Sequence, residues 1–218
     1  MTKLEFNAVG ERFFETGVKK GVLYVMNDGG TYGNGVAWNG LTAVTEKPTG
    51  AEPTNLYADD IKYLVLYGAE EFEATIEAYT YPEEFEQCDG SASLATGVNI
   101  GQQTRKSFGF CYTTSLGNDT QGQDHGYKIH IIYGCKAKPS EKAYSSINDN
   151  PDAITFSWDI STTPVPVSGM KPTATVVIDS TRVDPGKLQK LEEKLYGSTA
   201  AQPTLPSPDE IKTLLADS

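Results

Sequence analysis

The sequence predicts a mainly β protein: a two-sheet antiparallel sandwich or partial barrel with one flanking α-helix and a C-terminal arm. Short stretches of alternating apolar and polar residues recur between turn residues, leucines take a helical spacing near the end of the chain, and a proline-rich linker follows them. The 218 residues suffice for one domain with appendages. We predict that domain at residues 1–197 and the arm at residues 198–218.

The clearest strand is the stretch "EFEATIEAY" at residues 71–79. Its apolar set is Phe72, Ala74, Ile76 and Ala78, and its polar set is Glu71, Glu73, Thr75 and Glu77. Alternate residues of a strand point to opposite faces, so this period of two predicts one buried face and one acidic face. The pattern leaves open whether the acidic face is an outer surface or lines an internal channel.

Further strands are predicted from similar stretches at residues 57–67, 106–114, 125–134, 153–162 and 173–179. In the stretch "AITFSWDIST" the apolar set Ile154, Phe156, Trp158 and Ile160 opposes the polar set Thr155, Ser157, Asp159 and Ser161. Such alternation is typical of strands that bury one face.

One amphipathic helix is predicted over residues 185–196. Asp184 is a suitable N-cap, Pro185 suits the first helical position, and Gly197 suits the end of the helix. The leucines at 188, 191 and 195 have helical spacing and predict a single buried face.

The arm consists of a linker, residues 198–206, and a short helix from Ser207 to about Ala216 that begins with a capping-box sequence. Ile211, Leu214 and Leu215 form its apolar side. A helix this short is not stable alone. We expect it to dock on a neighbouring subunit, and packing onto its own domain is the alternative.

Residues 27–55 are predicted to form a long, glycine-rich irregular loop. Loops of that length in compact domains are usually functional or disordered. Trp38, Leu41 and Val44 would give it apolar anchors that a single chain could not easily bury, so we expect them to contact an adjacent subunit or ring.

Charge and targeting signals exclude several classes of protein. A net charge of −11 disfavours sequence-independent binding to nucleic acid or to an anionic membrane. The N-terminal stretch lacks a signal-peptide core and no apolar run is long enough to span a bilayer, so we expect a protein made and kept in a cytoplasm. Cys88, Cys111 and Cys135 are too few and too far apart to indicate disulfides or a zinc site.

Residues with catalytic or ligand-binding chemistry give no positive signal for an enzyme. Retaining glycosidases need two carboxyls about 5 Å apart, whereas alternate residues along a strand, such as Glu71 and Glu73, lie almost 7 Å apart. His125 and His130 lack a nucleophile motif to act with. The Asp119 to Asp124 stretch lacks the ligand order of a calcium loop and is typical of a hairpin tip. We therefore expect no enzymatic activity, metal or cofactor.

Several long stretches of the sequence resemble one protein family. They are "FETGVKKGVLYVM", "GVAWNGLTAVTE", "GAEPTNLYADDIKYL", "EEFEATIEAYTYPEEFEQCDGS", "GQQTRKSFGFCY" and "GYKIHIIYGCKAKPSEKAYSSIND". Over about Phe14 to Ser180 the chain resembles the major tail protein, or tail tube protein, of long-tailed phages and prophages of Gram-positive bacteria. The resemblance implies two antiparallel sheets with a flanking helix, and hexameric rings that stack into a tube through which the genome leaves.

The resemblance also implies partners and a location. The partners would be further copies of the chain, the tape measure protein, the tail terminator and the distal tail proteins, with DNA only in transit. The location would be the virion tail, and the host cytoplasm during assembly.

In such a tube we expect Glu71, Glu73, Thr75 and Glu77 to line the lumen, with Asp159 and Ser157 as lesser candidates. A carbohydrate-binding or adhesin sandwich is the first alternative and would require Tyr79, Tyr81 and Trp38 to form one exposed platform. A β-sandwich glycosidase is a weaker second alternative.

Overall fold

The computed structural model describes residues 3–50, 52–147 and 152–216, and these form a mainly β fold with antiparallel sheets. The strands are β1 (Phe13–Met26), β2 (Tyr32–Trp38), β3 (Leu41–Gly50), β4 (Pro53–Ala58), β5 (Ile61–Tyr67), β6 (Glu70–Ala78), β7 (Ala92–Ala95), β8 (Val98–Ile100), β9 (Phe108–Asn118), β10 (Gly122–Ala137), β11 (Phe156–Ser161) and β12 (Thr175–Asp179). The main path of pairing is β2-β1-β9-β10-β11-β6-β3, and β12 also pairs with β10.

Strand β10 joins two sheets. Its residues 128–132 pair with β12, and its last two residues pair with β11. Between these partners lies Gly134, with φ 58°, where an added Cβ would lie 2.2 Å from the Thr163 carbonyl oxygen. A side chain has no space there, and the positive φ favours glycine independently. Gly134 therefore lets the strand leave one sheet, containing β1, β2, β9 and β12, and enter the other, containing β3, β6 and β11.

A first apolar core fills the space between the two sheets. The larger sheet contributes Leu23, Phe108, Phe110 and Ile132, and the β3-β6-β11 sheet contributes Ala74, Ile76, Trp158 and Ile160. The rings of Trp38, Phe85 and Trp158 pack together, with centroids 4.5 to 5.5 Å apart. Tilted and edge-on aromatic pairs of this kind add stabilisation to the burial of apolar area.

A second core lies on the other face of the larger sheet, beneath the helices α2 (Pro185–Tyr196) and α3 (Pro208–Leu215). The leucines at 188, 191 and 195 all face this core, as their spacing predicts. The Asp184 carboxylate accepts hydrogen bonds from the backbone N–H groups of Gly186 and Lys187, which confirms the predicted N-cap. A third, four-residue helix, α1 (Glu86–Asp89), follows a 3₁₀ turn.

The sequence interpretation was wrong for two segments. The described part of residues 27–55 forms β2, β3 and the start of β4 and not an irregular loop. Their glycines and polar residues give no alternating strand pattern. The strands form because they pair with β1 and β6, which lie elsewhere in the chain. Residues 57–67 were predicted as one strand, but they turn at Asp59 and Asp60 to form part of a hairpin of β4 and β5. No helix in the described residues is long and apolar enough to cross a membrane.

Candidate assembly surfaces

The β4–β5 hairpin is an exposed two-stranded sheet. Asp59 and Asp60 have φ of 50° and 60°, which is the backbone of a type I′ turn. Ala58 and Ile61 pair on either side of this two-residue turn. Aspartate adopts the left-handed backbone conformation more readily than most residues, which explains why the chain reverses here.

The apolar side chains of this hairpin are largely unburied. They are Leu56, Tyr57, Ile61, Tyr63, Leu64, Leu66 and Tyr67, with exposed fractions from 37% to 71%. The pairing places Leu56, Leu64 and Leu66 on one face. Among the described residues β4 and β5 pair only with each other. An isolated two-stranded hairpin is marginally stable in water, so this one is well suited to docking against another surface.

The acidic strand β6 lies in the middle of its sheet, between β3 and β11. Its alternation is confirmed, because Ala74, Ile76 and Ala78 are buried in the first core. The polar set faces the opposite side, where Glu71 is exposed, Glu73 and Glu77 are half-buried, and Thr75 is 8% exposed. No helix covers this face in the part of the chain that the structure describes.

Lysines from neighbouring segments balance part of the acidic face. Lys138 pairs with Glu73, and the Lys47 ammonium lies 3.5 Å from an Asp159 carboxylate oxygen. The Thr75 hydroxyl donates to the same oxygen at 2.6 Å. This hydrogen bond, followed by the charge of Lys47, lowers the pKa of Asp159. Lys47 could not be placed from the sequence, because β3 was not predicted and its register with β6 sets Lys47 opposite Glu73. Lys138 follows β10 and reaches this face because its N–H donates to the Asp159 carbonyl oxygen of β11.

The predicted loop anchors are core residues of the single chain. Trp38 is 2% exposed, and its indole N–H donates to the Thr80 carbonyl oxygen at 2.9 Å. Leu41 and Val44 are partly buried against the same core. The expectation that a single chain could not bury Trp38 is therefore wrong, because the strand pairing of β2 and β3 carries these residues inward.

The C-terminal segment packs on its own domain and is not a free arm. Ile211 is 5% exposed, and Leu214 and Leu215 pack against the second core beside it. The preceding linker is also fixed, since Leu205 is 8% exposed and the Gly35 N–H donates to the Pro203 carbonyl oxygen. In the single chain this helix thus packs on its own domain, as the alternative states. Residues 217 and 218 of the predicted arm lie outside the described residues.

His130 lies at one open end of the sandwich, between carboxylates from both sheets. Its ring nitrogens lie 3.4 Å from Glu15 and 3.6 Å from Glu46, and its ring stacks on Tyr112. The neighbouring His130 ring is the main cause that lowers the pKa of Glu46. Among the described residues no group of three His, Cys, Asp or Glu side chains is placed to hold a metal ion.

The remaining candidate residues of the sequence analysis make contacts that belong to the fold itself. Asp119 follows β9 in the turn before β10, as the hairpin-tip interpretation predicts, and its carboxylate accepts the Gly10 N–H at 3.0 Å. His125 contacts Phe13 and Gln121. The three cysteines are buried free thiols, and burial raises the pKa of Cys88 and Cys111 to about 12.

The three aromatic residues of the adhesin alternative do not form one platform. Tyr79 is 55% exposed, whereas Trp38 is buried and the Tyr81 ring packs edge-on against Trp158 in the first core. A flat sugar-binding surface built from these residues is therefore absent from the described chain.

No protein-family model and no curated protein matches the chain. It is similar to a chain of the anti-feeding prophage baseplate, solved by cryo-EM with six-fold symmetry, at 9% identity over 83% of this chain and 100% of that chain, with a TM-score of 0.38. It is also similar to chains of two extended-state assemblies of an extracellular contractile injection system. These are a sheath-tube complex (11% identity, 79% of this chain and 93% of that chain, TM-score 0.32) and a sheath/tube terminator (11% identity, 81% and 99%, TM-score 0.30). At these TM-scores the likeness carries no argument about the function of this chain.

Proposed function

We propose that the chain is a structural subunit of a phage tail tube, of the kind found in long-tailed phages and prophages of Gram-positive bacteria. Copies would assemble into hexameric rings, and the rings would stack into the channel for genome delivery. The resemblance of several long sequence stretches to tail tube proteins supplies the identity of the assembly. The structure supplies the physical reason for this chain to assemble at all.

The exposed β4–β5 hairpin carries the proposal. Both of its strands keep large apolar side chains in water, including Tyr57 at 69% and Tyr67 at 71% exposure. Burying an apolar side chain against a partner contributes roughly 1.5–3 kcal/mol when it becomes fully covered. Assembly with further copies would cover the hairpin, and the same residues have no evident use in a chain that stays monomeric.

The polar face of β6 is our candidate for the lumen wall. It presents Glu71, Glu73, Thr75 and Glu77, and Asp159 and Ser157 of β11 lie beside it. Six copies at −11 each carry 6 × 11 = 66 formal negative charges, some of which would face inward. A hydrated wall with net negative charge repels phosphates, so DNA would not adhere while it passes. Lys47 and Lys138 reduce this charge locally and keep the carboxylates paired.

Further components follow from the same proposal. The tube would contact the tape measure protein within it and the tail terminator and distal tail proteins at its ends. The subunit would be found in the virion tail, and in the host cytoplasm before assembly. It would act without enzymatic activity, metal or cofactor.

Electron microscopy of the purified full chain tests the proposal. We expect six-fold rings or stacked tubes, in equilibrium with a soluble folded monomer at low concentration. A chain that stays monomeric at every concentration and salt condition would contradict the proposed function. An image reconstruction that puts the β6 polar face on the outer wall would overturn the lumen assignment and leave the tube subunit in place.

A further inference from the structure

A groove with a volume of about 760 Å³ lies where β2 ends and β3 begins. Its wall combines the irregular part of β1, from Val18 to Val22, with Leu41, Tyr196 and Pro203. The apolar side chains of this wall would contact an inserted segment. The groove is open to solvent, so a segment of another chain could enter it.

The edge of β2 adds free backbone groups to the groove. Gly35 and Ala37 both line it, and the Gly35 N–H already donates to the Pro203 carbonyl oxygen, away from β1. Backbone groups two residues apart on a strand point the same way, so the N–H and C=O of Ala37 also point away from β1. An edge of this kind can pair with an incoming extended segment.

Two lysines give the groove a local positive charge. Lys19 and Lys20 line it, and neither forms an ion pair with any residue that the structure describes. The Lys19 ammonium donates to the Ser115 hydroxyl at 2.8 Å, and the Lys20 ammonium lies 5.4 Å from the centre of the Tyr196 ring. In a chain of net charge −11, two adjacent lysines without acidic partners are a local site for a carboxylate ligand.

The tip of the β4–β5 hairpin has the complementary chemistry. Asp59 and Asp60 form the turn, are exposed, and make no ion pair within the described residues. Tyr57 and Ile61 flank them at 69% and 64% exposure. The tip therefore offers two carboxylates between apolar side chains, and the groove offers two lysines beside an apolar wall.

The hairpin cannot fill the groove of its own chain. Strand β3 begins at Leu41, in the groove, and ends at Gly50, where the chain leaves for the hairpin. Ten residues of strand span about 33 Å, whereas the six residues of β4 span only about 20 Å, so a hairpin folded back along β3 would still fall short of the groove. Tip and groove are thus separate surfaces of one chain, as a head-to-tail contact needs.

We propose that the hairpin tip of one copy inserts into the β2–β3 groove of a second copy. Asp59 and Asp60 then pair with Lys19 and Lys20 of that copy, while Tyr57 and Ile61 pack on its apolar wall. The inference rests on the proposed function and adds the contact surfaces to it. Two different surfaces that meet head to tail propagate along one direction, so this contact joins successive rings of the tube and gives it a polarity.

Disulfide crosslinking of the full chain tests the contact. The native thiols are fully buried, so an introduced surface cysteine reacts selectively. Asn39→Cys places a thiol in the groove and Ala58→Cys places one beside the tip, and both substitutions leave the lysines and aspartates intact. We expect a mixture of the two variants to form a covalent dimer under mild oxidation. A chain with both substitutions should form a ladder of oligomers.

Matched variants separate a specific contact from random collision. Lys190→Cys, on the exposed side of α2, replaces Asn39→Cys in the control and should give at least tenfold less crosslinked dimer with Ala58→Cys. The double variant Asp59→Asn with Asp60→Asn removes both negative charges. Asparagine also adopts positive φ, so the turn is kept. Losing two exposed ion pairs should lower the apparent association constant about tenfold. Glu84→Gln with Glu193→Gln removes two exposed carboxylates elsewhere and should leave the association constant unchanged.

The outcomes distinguish this inference from the proposed function. If the wild type forms tubes but Asn39→Cys and Ala58→Cys give no more dimer than the control pair, the contact is wrong and the tube subunit stands. If the wild type forms no rings or tubes, the proposed function fails. A selective crosslink in small oligomers would then still support the head-to-tail contact, and its absence would overturn that contact as well.

Discussion

The β4–β5 hairpin and the C-terminal segment, residues 198–216, are both apolar additions to the sandwich. They differ in how far their apolar side chains are buried in the single chain. The hairpin leaves Leu66 at 52% exposure, whereas the C-terminal segment buries Leu205 to 8% and Ile211 to 5%. Apolar content therefore does not decide which segment serves folding and which serves assembly. The difference lies in the polar groups around each segment.

Polar contacts fix the C-terminal segment along its whole length. The Tyr133 hydroxyl donates to the Pro206 carbonyl oxygen at 2.8 Å, and the Thr204 N–H donates to the Lys194 carbonyl oxygen at 2.7 Å. The Ser207 and Glu210 capping box then starts α3. Within the described ranges the hairpin has backbone pairing only with itself. We therefore expect the C-terminal segment to stabilise the monomer and the hairpin to mediate association.

Removing each segment should give the largest contrast. Truncation after Tyr196 exposes the second core and should lower the free energy of unfolding by at least about 3–6 kcal/mol, the value of the two buried side chains Leu205 and Ile211. Replacing residues 53–67 with a two-residue turn should change it by less than about 0.5 kcal/mol. Urea denaturation of both variants as monomers measures the difference. Equal losses in the two variants would remove the distinction between the segments.

Replacing a single leucine in each segment should give the same difference in stability loss on a smaller scale. Leu205→Ala leaves a cavity over Gly109 and Tyr32 and should cost about 2–4 kcal/mol. Leu66→Ala removes a side chain that is half in water and should cost less than about 0.5 kcal/mol. Thermal or urea unfolding of the matched pair gives both values. A cost for Leu66→Ala as large as that for Leu205→Ala would show that the hairpin is packed in the free chain.

Overfilling the site of Leu205 should have an intermediate effect. A Cβ added at Gly109 would lie 2.2 Å from a Leu205 methyl carbon, so Gly109→Ala displaces that side chain and should cost about 1–3 kcal/mol. In a chain that also carries Leu205→Ala, the clash is removed and the further cost of Gly109→Ala should shrink. A double-mutant cycle by urea denaturation checks this coupling. Additive costs would contradict the packing of the linker on β9.

Acid should weaken the C-terminal segment slightly. The hydrogen bond from Lys194, followed by the Ser207 N–H, lowers the pKa of Glu210 below its usual 4.5. A carboxyl with a lowered folded-state pKa adds stability above its unfolded pKa, and that stability is lost as the pH falls through the folded value. The effect should stay below about 1 kcal/mol, because the Glu210 side chain is 53% exposed.

Urea midpoints of the wild type and of Glu210→Gln from pH 7 to pH 3 measure the contribution of the ionised Glu210 to stability. The wild type should be the more stable at pH 7, and the two midpoints should converge as the pH falls below about 4.5. A gap that stays constant over the whole range would mean that Glu210 acts through its shape and not through its charge.

Local patterns allowed the sequence to predict the parts of the fold that depend on near neighbours. Strand β6 and helix α2 lie where the periods of two and of 3.6 predicted them, because each buries one face regardless of its partner. Strands β2 and β3 could not be predicted in this way. Glycine suits β2 because a Cβ at Gly35 would lie 2.7 Å from the Tyr24 ring, a contact that only the folded structure creates.

The same limit applies to the assembly surfaces. The contact that fixes Pro206 comes from Tyr133, 73 residues earlier in the chain. No local pattern carries that information, so the sequence alone could not decide between packing on its own domain and docking on a neighbour. Asp59 and Asp60 did carry a turn signal, but the apolar alternation around them was also compatible with one continuous strand. The ion pair of Lys47 with Asp159 depended in turn on the register of β3 with β6.

Electron microscopy of the chain in which a two-residue turn replaces residues 53–67 tests the central claim most directly, with Leu205→Ala as the comparison at a temperature where both chains are folded. The account predicts that the chain without the hairpin remains a folded monomer and forms no tubes. Leu205→Ala should still assemble, because its defect lies in the monomer and its hairpin is intact. Normal tubes from the chain without the hairpin would contradict the assignment of association to this segment.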